Sequence, residues 1–261
     1  MVIPVHDRNP ARRPAVITWS LIIINVVVFL ISPAATVPGT STSSNTICHQ
    51  QAFFNHWGAV PTELMHNRAL NETVGSSPAP GYCLRVPRTY DKTPVLSAIT
   101  SMFVHGGWAH LLGNMLFLLI FGNNVEDRLG RIRFALFYLA VGMASAYGFA
   151  ATEANSTTTL IGASGAIAGV LGAYLVMFPR AKVTSLVPFL LFLPVRLPAW
   201  VVLAGWFLLQ AFYAQGEGLG GGGGVAYLVH VIGFILGALV GLTVRKPPAR
   251  AVPPNYPPLR W

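Results

Sequence analysis

The sequence predicts an all-α membrane protein, a bundle of six transmembrane helices with both termini in the cytoplasm. Three observations lead to this prediction: the composition, the apolar runs and the placement of the basic residues. The chain is 53% apolar and only 10% charged, with a mean hydropathy of +0.57. A soluble domain carries about 25% charged residues. Membrane spans produce a composition of this kind.

Six apolar runs reach or approach the length of about 20 residues that a helix needs to cross a bilayer. They are residues 15–31, 108–125, 134–151, 160–178, 199–214 and 225–244. A seventh run, residues 186–194, is too short to span, and Pro188 and Pro194 interrupt it. We predict that it is an interfacial or re-entrant part of a loop.

Basic residues mark the cytoplasmic side, because loops rich in lysine and arginine stay there. They precede the first run, separate the second from the third and the fourth from the fifth, and follow the sixth: Arg8, Arg12, Arg13, Arg128, Arg131, Arg133, Arg180, Lys182, Arg196, Arg245, Lys246, Arg250 and Arg260. Residues 153–159 and 215–224 contain none. The long first loop contains four, and long loops follow the rule weakly. Both termini are therefore predicted to be cytoplasmic.

The chain divides into five predicted parts: a cytoplasmic segment 1–14, a first transmembrane helix 15–31, an external loop 32–95, a helical core 96–244 and a cytoplasmic Pro-rich tail 245–261. One alternative is a cleaved signal peptide, because Arg12 and Arg13 precede the first run and Ser32-Pro33-Ala34-Ala35 follows it. The run is longer than a usual signal core, and its loss would leave an uneven five spans.

The net charge of +9 does not indicate a nucleic-acid partner, because the basic residues form no block interleaved with aromatic residues. They flank the apolar runs, and the predicted partner is the lipid bilayer. Cys48 and Cys83 lack metal-ligand spacing. Both lie in the predicted external loop, where disulfides form, so we predict that they are bonded. The alternative is two unpaired loop cysteines.

Polar residues within spans are costly and need a reason. His110 and Asn114 lie in the second run, Ser164 in the fourth and His230 in the sixth. These three runs all enter the membrane from the external side, and His110, Ser164 and His230 each follow the start of their run closely. We therefore expect them at a similar depth of ~3–9 Å. Asn114 lies one turn below His110 on the same face.

These residue types fit hydrolysis by a serine nucleophile. Ser164 stands in Gly162-Ala163-Ser164-Gly165, and His230 is the candidate base that takes its proton. The Ser164 N–H, with His110 and Asn114, could stabilise an oxyanion. Acidic residues Asp127, Glu153 and Glu217 lie too near the surface to orient the base, which predicts a dyad. Two small-residue rows would let the helices approach: Ser164, Ala168 and Gly172, and Gly233, Gly237 and Gly241.

Each of these residues also has an ordinary structural interpretation. A serine in a Gly/Ala-rich span is more often part of plain helix packing. A membrane histidine can equally be an interhelical hydrogen bond or a proton relay, and an asparagine can simply hold helices together. The joint appearance of all four at one depth favours the catalytic interpretation.

At this point the chain resembles the rhomboid intramembrane serine proteases. The resemblance rests on His105, His110 and Asn114 at their spacing, on Gly162-Ala163-Ser164-Gly165, on His230 followed by Gly233 and Gly237, and on Glu126-Asp127-Arg128-Leu129-Gly130. It covers about residues 96–244, which it implies are the catalytic core, and the first span more loosely.

The resemblance implies Ser164 as nucleophile, His230 as base, and His110, Asn114 and the Ser164 amide as the oxyanion hole, with no metal or cofactor. It implies a mobile cap at residues 218–224, single-span membrane proteins as substrates and cleavage after a small residue. We expect a multi-pass protein of the plasma membrane whose site opens to the extracellular side. Two features depart from the family: Ala168 stands where many relatives carry an aromatic that stacks on the histidine, and the first loop has no Trp-Arg pair.

Two other functions compete with proteolysis. A catalytically dead relative would bind transmembrane clients without cutting them, but such a protein would be free to lose Ser164 or His230. A small transporter or channel would use His110, Asn114 and His230 as a polar pathway. That function requires polar residues in the inner halves of the spans as well. Those halves are almost wholly apolar, which argues against a transporter or channel.

Overall fold

The structure is a computed structural model that describes residues 3–9, 11–35, 44–77, 83–187, 191–217 and 227–244. Over these residues the chain is mostly helical, as predicted. The predicted cap at 218–224 and the Pro-rich tail at 245–261 lie outside the described residues.

The helices are α1 (Val16–Ile31), α2 (Ser44–Trp57), α3 (Pro61–His66), α4 (Pro94–Thr100), α5 (Trp108–Phe117), α6 (Asn123–Leu129), α7 (Arg131–Thr152), α8 (Ser164–Met177), α9 (Ala199–Glu217) and α10 (Tyr227–Thr243). A π-helical turn, Leu118–Gly122, joins α5 to α6. Short 3-10 turns lie at Pro33–Ala35 and Ser101–Phe103.

Two helical rods among the described residues are long and apolar enough to cross a membrane. They are Trp108–Leu129, which comprises α5, the π-helical turn and α6, and α7. The other apolar helices are shorter: Val16–Ile31, Pro94–Phe103, Ser164–Met177, Ala199–Ala214 and Tyr227–Thr243. Five of the six predicted runs therefore match helices closely. The fourth differs, because α8 begins only at Ser164 and residues 160–163 precede it in non-helical form.

Residues 186–187 and 193–194 lie in strands and not in an irregular loop, residues 188–190 lie outside the described residues, and the predicted interfacial position stays a prediction. Strands β4 (Lys182–Val187) and β5 (Leu193–Pro198) are antiparallel, and β1 (Ile3–Asp7) pairs with β4 in a sheet of order β1-β4-β5. Proline lacks the N–H that a central strand needs but is tolerated in an edge strand. Both Pro194 and Pro198 lie in β5, an edge strand of this sheet.

Helix α8 lies at the centre of the fold. Eleven of its fourteen residues are buried, all round the helix. A helix that is apolar on every side belongs in the core of a bundle. Its neighbours are α7, α9 and α10, and its small residues let those helices come close. The residue that begins α8, Ser164, is therefore held by the most constrained element of the protein.

The Glu126 carboxylate caps the start of α1. Its Oε1 accepts from the Ile17 N–H at 3.0 Å, and its Oε2 accepts from the Thr18 N–H and hydroxyl, both at 2.8 Å. The first N–H groups of a helix have no partner within the helix, and a negative charge there is favourable. Glu126 thus fixes α1 against the rod that carries His110 and Asn114.

The first loop is folded where the structure describes it. It contains α2, α3 and a hairpin of β2 (Glu72–Gly75) and β3 (Leu84–Pro87), and the structure pairs Cys48 with Cys83 as a disulfide. The sequence analysis predicted the bond but not these elements.

A buried ion pair holds this loop to the start of the core. Lys92 Nζ lies 2.6 Å from Glu63 Oε2 and donates to the Asn55 carbonyl at 2.6 Å. Burial lowers the pKa of Lys92 from its usual range, and the hydrogen bond and charge of Glu63 oppose that shift. Removing one partner of such a pair leaves a buried charge without compensation, which costs about 3–5 kcal/mol.

The same loop braces the segment that precedes α8. Ala59 and Leu160 exchange backbone hydrogen bonds of 3.0 and 2.7 Å, and the Thr159 hydroxyl donates to Asn55 Oδ1 at 2.7 Å. Residues 158–161 also line the cavity described below. The first loop is therefore part of the scaffold behind one wall of that cavity.

Candidate active site

Ser164 begins α8, where the chain makes a sharp turn. Gly162 has φ of 114°, in the region that favours glycine, and its N–H donates to the Ser101 carbonyl at 2.8 Å. A Cβ on Gly162 would lie 2.6 Å from His110 Nε2, so no side chain fits there. The first bond of the helix runs from Ile167 to Ala163, which leaves the Ser164 N–H without an intrahelical acceptor. This N–H is available at the positive end of the helix.

His230 reaches Ser164 from the first turn of α10. Its Nε2 lies 2.8 Å from Ser164 Oγ, a hydrogen-bond distance. The serine hydroxyl can donate its proton to this nitrogen when Nε2 carries none. The structure therefore brings the predicted nucleophile and the predicted base into direct contact.

Glycine contacts between α8 and α10 make this distance possible. A Cβ on Gly237 would overlap the carbonyl oxygen of Gly169, and one on Gly233 would overlap that of Gly165. The α10 row is the one that the sequence predicted. On α8 the contact row is Gly165, Gly169 and Gly172, whereas the prediction named 164, 168 and 172.

We expect Gly237→Ala to lower the rate of the peptide hydrolysis that the sequence predicts by about 100-fold. The added methyl must push α10 away from α8, and misplacement of catalytic groups by about 1 Å can cost 10²-fold in rate. Overpacking also lowers the free energy of unfolding by about 1–3 kcal/mol. Turnover of a membrane-protein reporter and thermal unfolding in detergent measure the two effects. The matched control is Gly205→Ala, since nothing lies within 4 Å of a Cβ built there. Equal activities of the two variants would contradict the expectation.

His110 and Asn114 present hydrogen-bond donors beside Gly162. His110 Nδ1 faces the Gly106 N–H at 3.4 Å as an acceptor, so the neutral ring carries its proton on Nε2, near Gly162. The Asn114 side-chain nitrogen is buried and has no hydrogen-bond partner among the described residues. Unpaired buried donors are rare in folded proteins. Two side chains therefore offer N–H groups with room for an acceptor.

All four predicted site residues border one cavity of about 1220 Å³. Its wall beside the serine is made of small residues, among them Gly162, Gly165 and Ala166. Ala163 is fully buried and does not border the cavity, whereas Glu153 is among the residues that line it.

Sequence reasoning missed Gln210 of α9. Its Oε1 lies 2.7 Å from His230 Nδ1, and its side chain is buried at 7% exposure. The prediction considered only acidic residues as partners of the histidine. A signal was present, because Gln210 is the only amide or charged side chain in the apolar run 199–214.

Aromatic rings flank His230 even though Ala168 provides none. The Trp206 ring centroid lies 6.0 Å from that of the histidine at an interplanar angle of 37°, and Tyr227 lies 6.3 Å away at 84°. Trp206 belongs to α9, one turn before Gln210. Helix α9 thus supplies both a ring and a hydrogen-bond partner.

The chain is similar to proteins of known family. A family model described as the Rhomboid domain matches residues 92–247. Relatives include Rhomboid protein 1, mitochondrial, of Saccharomyces cerevisiae (35% identical over 59% of this chain and 43% of the relative). Rhomboid-related protein 2 of Mus musculus is 28% identical over 56% of this chain and 47% of its own length. RHOMBOID-like protein 5 of Arabidopsis thaliana is 34% identical over 30% of this chain and 25% of its own length.

The matched parts span a quarter to a half of the length of these curated relatives. The family model covers more than half of this chain and includes Ser164, His230, His110 and Asn114 within its matched residues. The helices, the apolar composition and the match agree with a protein integral to the membrane. This chain is a member of the rhomboid family.

Proposed function

We propose that this chain is an intramembrane serine endopeptidase that hydrolyses peptide bonds in or near the transmembrane segments of single-span membrane proteins. The observation that carries the proposal is the 2.8 Å contact between His230 Nε2 and Ser164 Oγ, in a cavity that the unpaired Asn114 side-chain amide also lines. Rhomboid homologues suggest this activity, although some members of the family are inactive. A chain that had lost the function would be under no requirement to keep nucleophile and base in contact.

In the proposed reaction, Ser164 Oγ attacks the carbonyl carbon of the scissile bond while its proton passes to His230 Nε2. The carbonyl oxygen becomes an oxyanion, and the Ser164 N–H, His110 Nε2–H and Asn114 amide donate to it. The tetrahedral intermediate collapses, the C–N bond breaks, and the histidine returns its proton to the leaving amine. A water molecule, deprotonated by the same histidine, then hydrolyses the acyl-enzyme and restores the serine.

The proposal places the protein in the plasma membrane with six spans and cytoplasmic termini. The shorter apolar helices α1, α8, α9 and α10 then join the two long rods in crossing the bilayer. The position of the charges supports this orientation. Arg180 and Lys182 follow the end of α8, whereas Ser164 begins it about 21 Å away, at 1.5 Å per residue. The site then opens to the extracellular side.

The activity test uses the purified chain in liposomes with a labelled single-span reporter. We expect two products, and we expect a fluorophosphonate, which reacts with activated serines, to block cleavage and add its mass to the peptide that contains Ser164. A chain that is folded but neither cleaves the reporter nor takes up the label would refute the proposal and favour a binding relative without activity.

We expect cleavage after Ala, Gly, Ser or Cys near the external end of the substrate's span. The wall of the cavity beside the nucleophile includes the small residues Gly162, Gly165 and Ala166, and the resemblance to the family implies a small residue before the cut. The substrate must also unwind, because a helical carbonyl is engaged in its own hydrogen bond. Mass spectrometry of the products locates the cut. Cleavage in the cytoplasmic half, or a preference for Phe or Val before the cut, would contradict this account of the site.

A further inference from the structure

We propose that Gln210 is a positioning residue for His230, whose side-chain oxygen accepts the Nδ1–H and so turns the unprotonated Nε2 towards Ser164. The inference rests on the proposed function and adds a third member to the expected dyad. Gln210 also borders the cavity, and the contact that matters here is with His230 Nδ1 and not with Ser164 Oγ. It acts through the histidine.

Both ring nitrogens of His230 are within hydrogen-bond distance of a side chain. Nε2 lies 2.8 Å from Ser164 Oγ, and Nδ1 lies 2.7 Å from Gln210 Oε1. A neutral imidazole carries one proton, on one nitrogen or the other. If the histidine is to receive the serine proton, Nε2 must be the bare nitrogen. The proton then lies on Nδ1, which needs an acceptor, and Gln210 Oε1 is placed to be one.

The direction of the amide follows from the same requirement. If the amide were reversed, its NH₂ would donate to Nδ1, and the ring proton would lie on Nε2. Such a ring would donate to Ser164 and could not remove its proton. Only the orientation with Oε1 towards Nδ1 is compatible with a base. Neutral side-chain amides hold a catalytic histidine in the same sense in proteases of the Cys-His-Asn type.

The surroundings of His230 explain why a hydrogen bond is needed for this purpose. Trp206 and Tyr227 lie about 6 Å away, and both rings are inclined to the imidazole. Their contacts restrict where the ring lies but cannot distinguish the two tautomers. Ala168 contributes only a methyl group. Gln210 is the one hydrogen-bond partner of Nδ1 among the described residues.

The burial of the Gln210 side chain supports its role as a hydrogen-bond partner of His230. Gln210 is 7% exposed and follows an apolar stretch of α9, residues 199–209, and placing an amide there is costly unless it is hydrogen-bonded. The amide is one turn beyond Trp206, so both face α10 from the same side of α9. The position of α9 therefore determines how the base is oriented.

The test compares Gln210→Met with Gln210→Glu in the full chain. Methionine has a similar shape and no strong acceptor, whereas glutamate keeps an acceptor oxygen whether or not it is protonated. We expect Gln210→Met to lower kcat roughly tenfold with KM unchanged, as for the loss of one net hydrogen bond. Gln210→Glu should recover most of that loss. Leu208→Met, at an exposed position on the same helix, is the control and should match the wild type.

The second readout is ¹⁵N NMR of protein labelled at histidine, with the His230 signals assigned from a His230→Asn variant. We expect the wild type to show a protonated Nδ1 and a bare Nε2, and Gln210→Met to show a mixture of tautomers. A purely structural role would not move this signature. Wild-type kcat and an unchanged spectrum in Gln210→Met would overturn the inference, as would equal losses in the Met and Glu variants. If the wild type did not cleave the reporter, that result would instead refute the proposed function.

Discussion

Ser164→Ala is expected to abolish cleavage, with a loss of at least about 10⁴ in kcat, the scale seen when a serine nucleophile is removed. Ser164 Oγ is the hydroxyl that lies 2.8 Å from His230 Nε2, so the substitution removes the proposed nucleophile. Folding should survive, because the change removes one oxygen from an interface of small residues. The lost hydrogen bond to His230 is worth only about 1 kcal/mol.

The measurement pairs reporter cleavage with thermal unfolding in detergent. Ser20→Ala is the matched control, since Ser20 lies in α1 and donates to the Val16 carbonyl, away from the cavity. Cleavage by Ser164→Ala at the rate of this control would exclude Ser164 as the nucleophile. Loss of fluorophosphonate labelling in the same variant would identify the modified residue independently of any substrate.

Asn114→Ala should lower kcat about 10²–10³-fold and leave KM and stability nearly unchanged. Removal of one oxyanion donor costs that much when others remain. The Asn114 side-chain nitrogen has no hydrogen-bond partner among the described residues, so its removal breaks no described internal bond at that atom. A donor that makes no hydrogen bond in the resting protein but lowers kcat when it is removed is typical of transition-state stabilisation.

Asn25→Ala provides the comparison for this variant. Asn25 is also a buried asparagine in an apolar helix, but it donates to the Leu21 carbonyl and lies outside the cavity. We expect this variant to keep the wild-type kcat. If Asn114→Ala remained folded yet lost as much activity as Ser164→Ala, Asn114 would have a larger role than donation to an oxyanion.

The convergence of the site residues on one cavity was predictable from their positions near the starts of helices. His110, Ser164 and His230 all lie near the start of their helices, and the starts of helices that enter from one side meet at one surface. Gln210 did not fit this pattern, because α9 is antiparallel to α8 and α10 and approaches the site with its C-terminal half. Its later turns, not its first, reach His230.

The contacts that hold the first loop and the sheet could not be predicted from the sequence, for a different reason. Glu63 and Lys92 are far apart in the sequence, and β1, near the N-terminus, pairs with β4 about 180 residues later in the chain. Pro188 and Pro194 were interpreted as interrupting an apolar run that is too short to span, and proline is also disfavoured in central strands. An edge strand relaxes that restriction, and only the assembled sheet reveals which strand is at the edge.

The π-helical turn at Leu118–Gly122 has a consequence for the length of this part of the chain. A π turn contains one residue more than an α turn, and each residue rotates a helix by about 100°. Deleting one residue would restore a regular helix and rotate Glu126 away from the start of α1, or Asn114 away from the cavity. Homologous chains are therefore expected to differ freely in the identity of the apolar residues between Asn114 and Glu126, and to agree in their number.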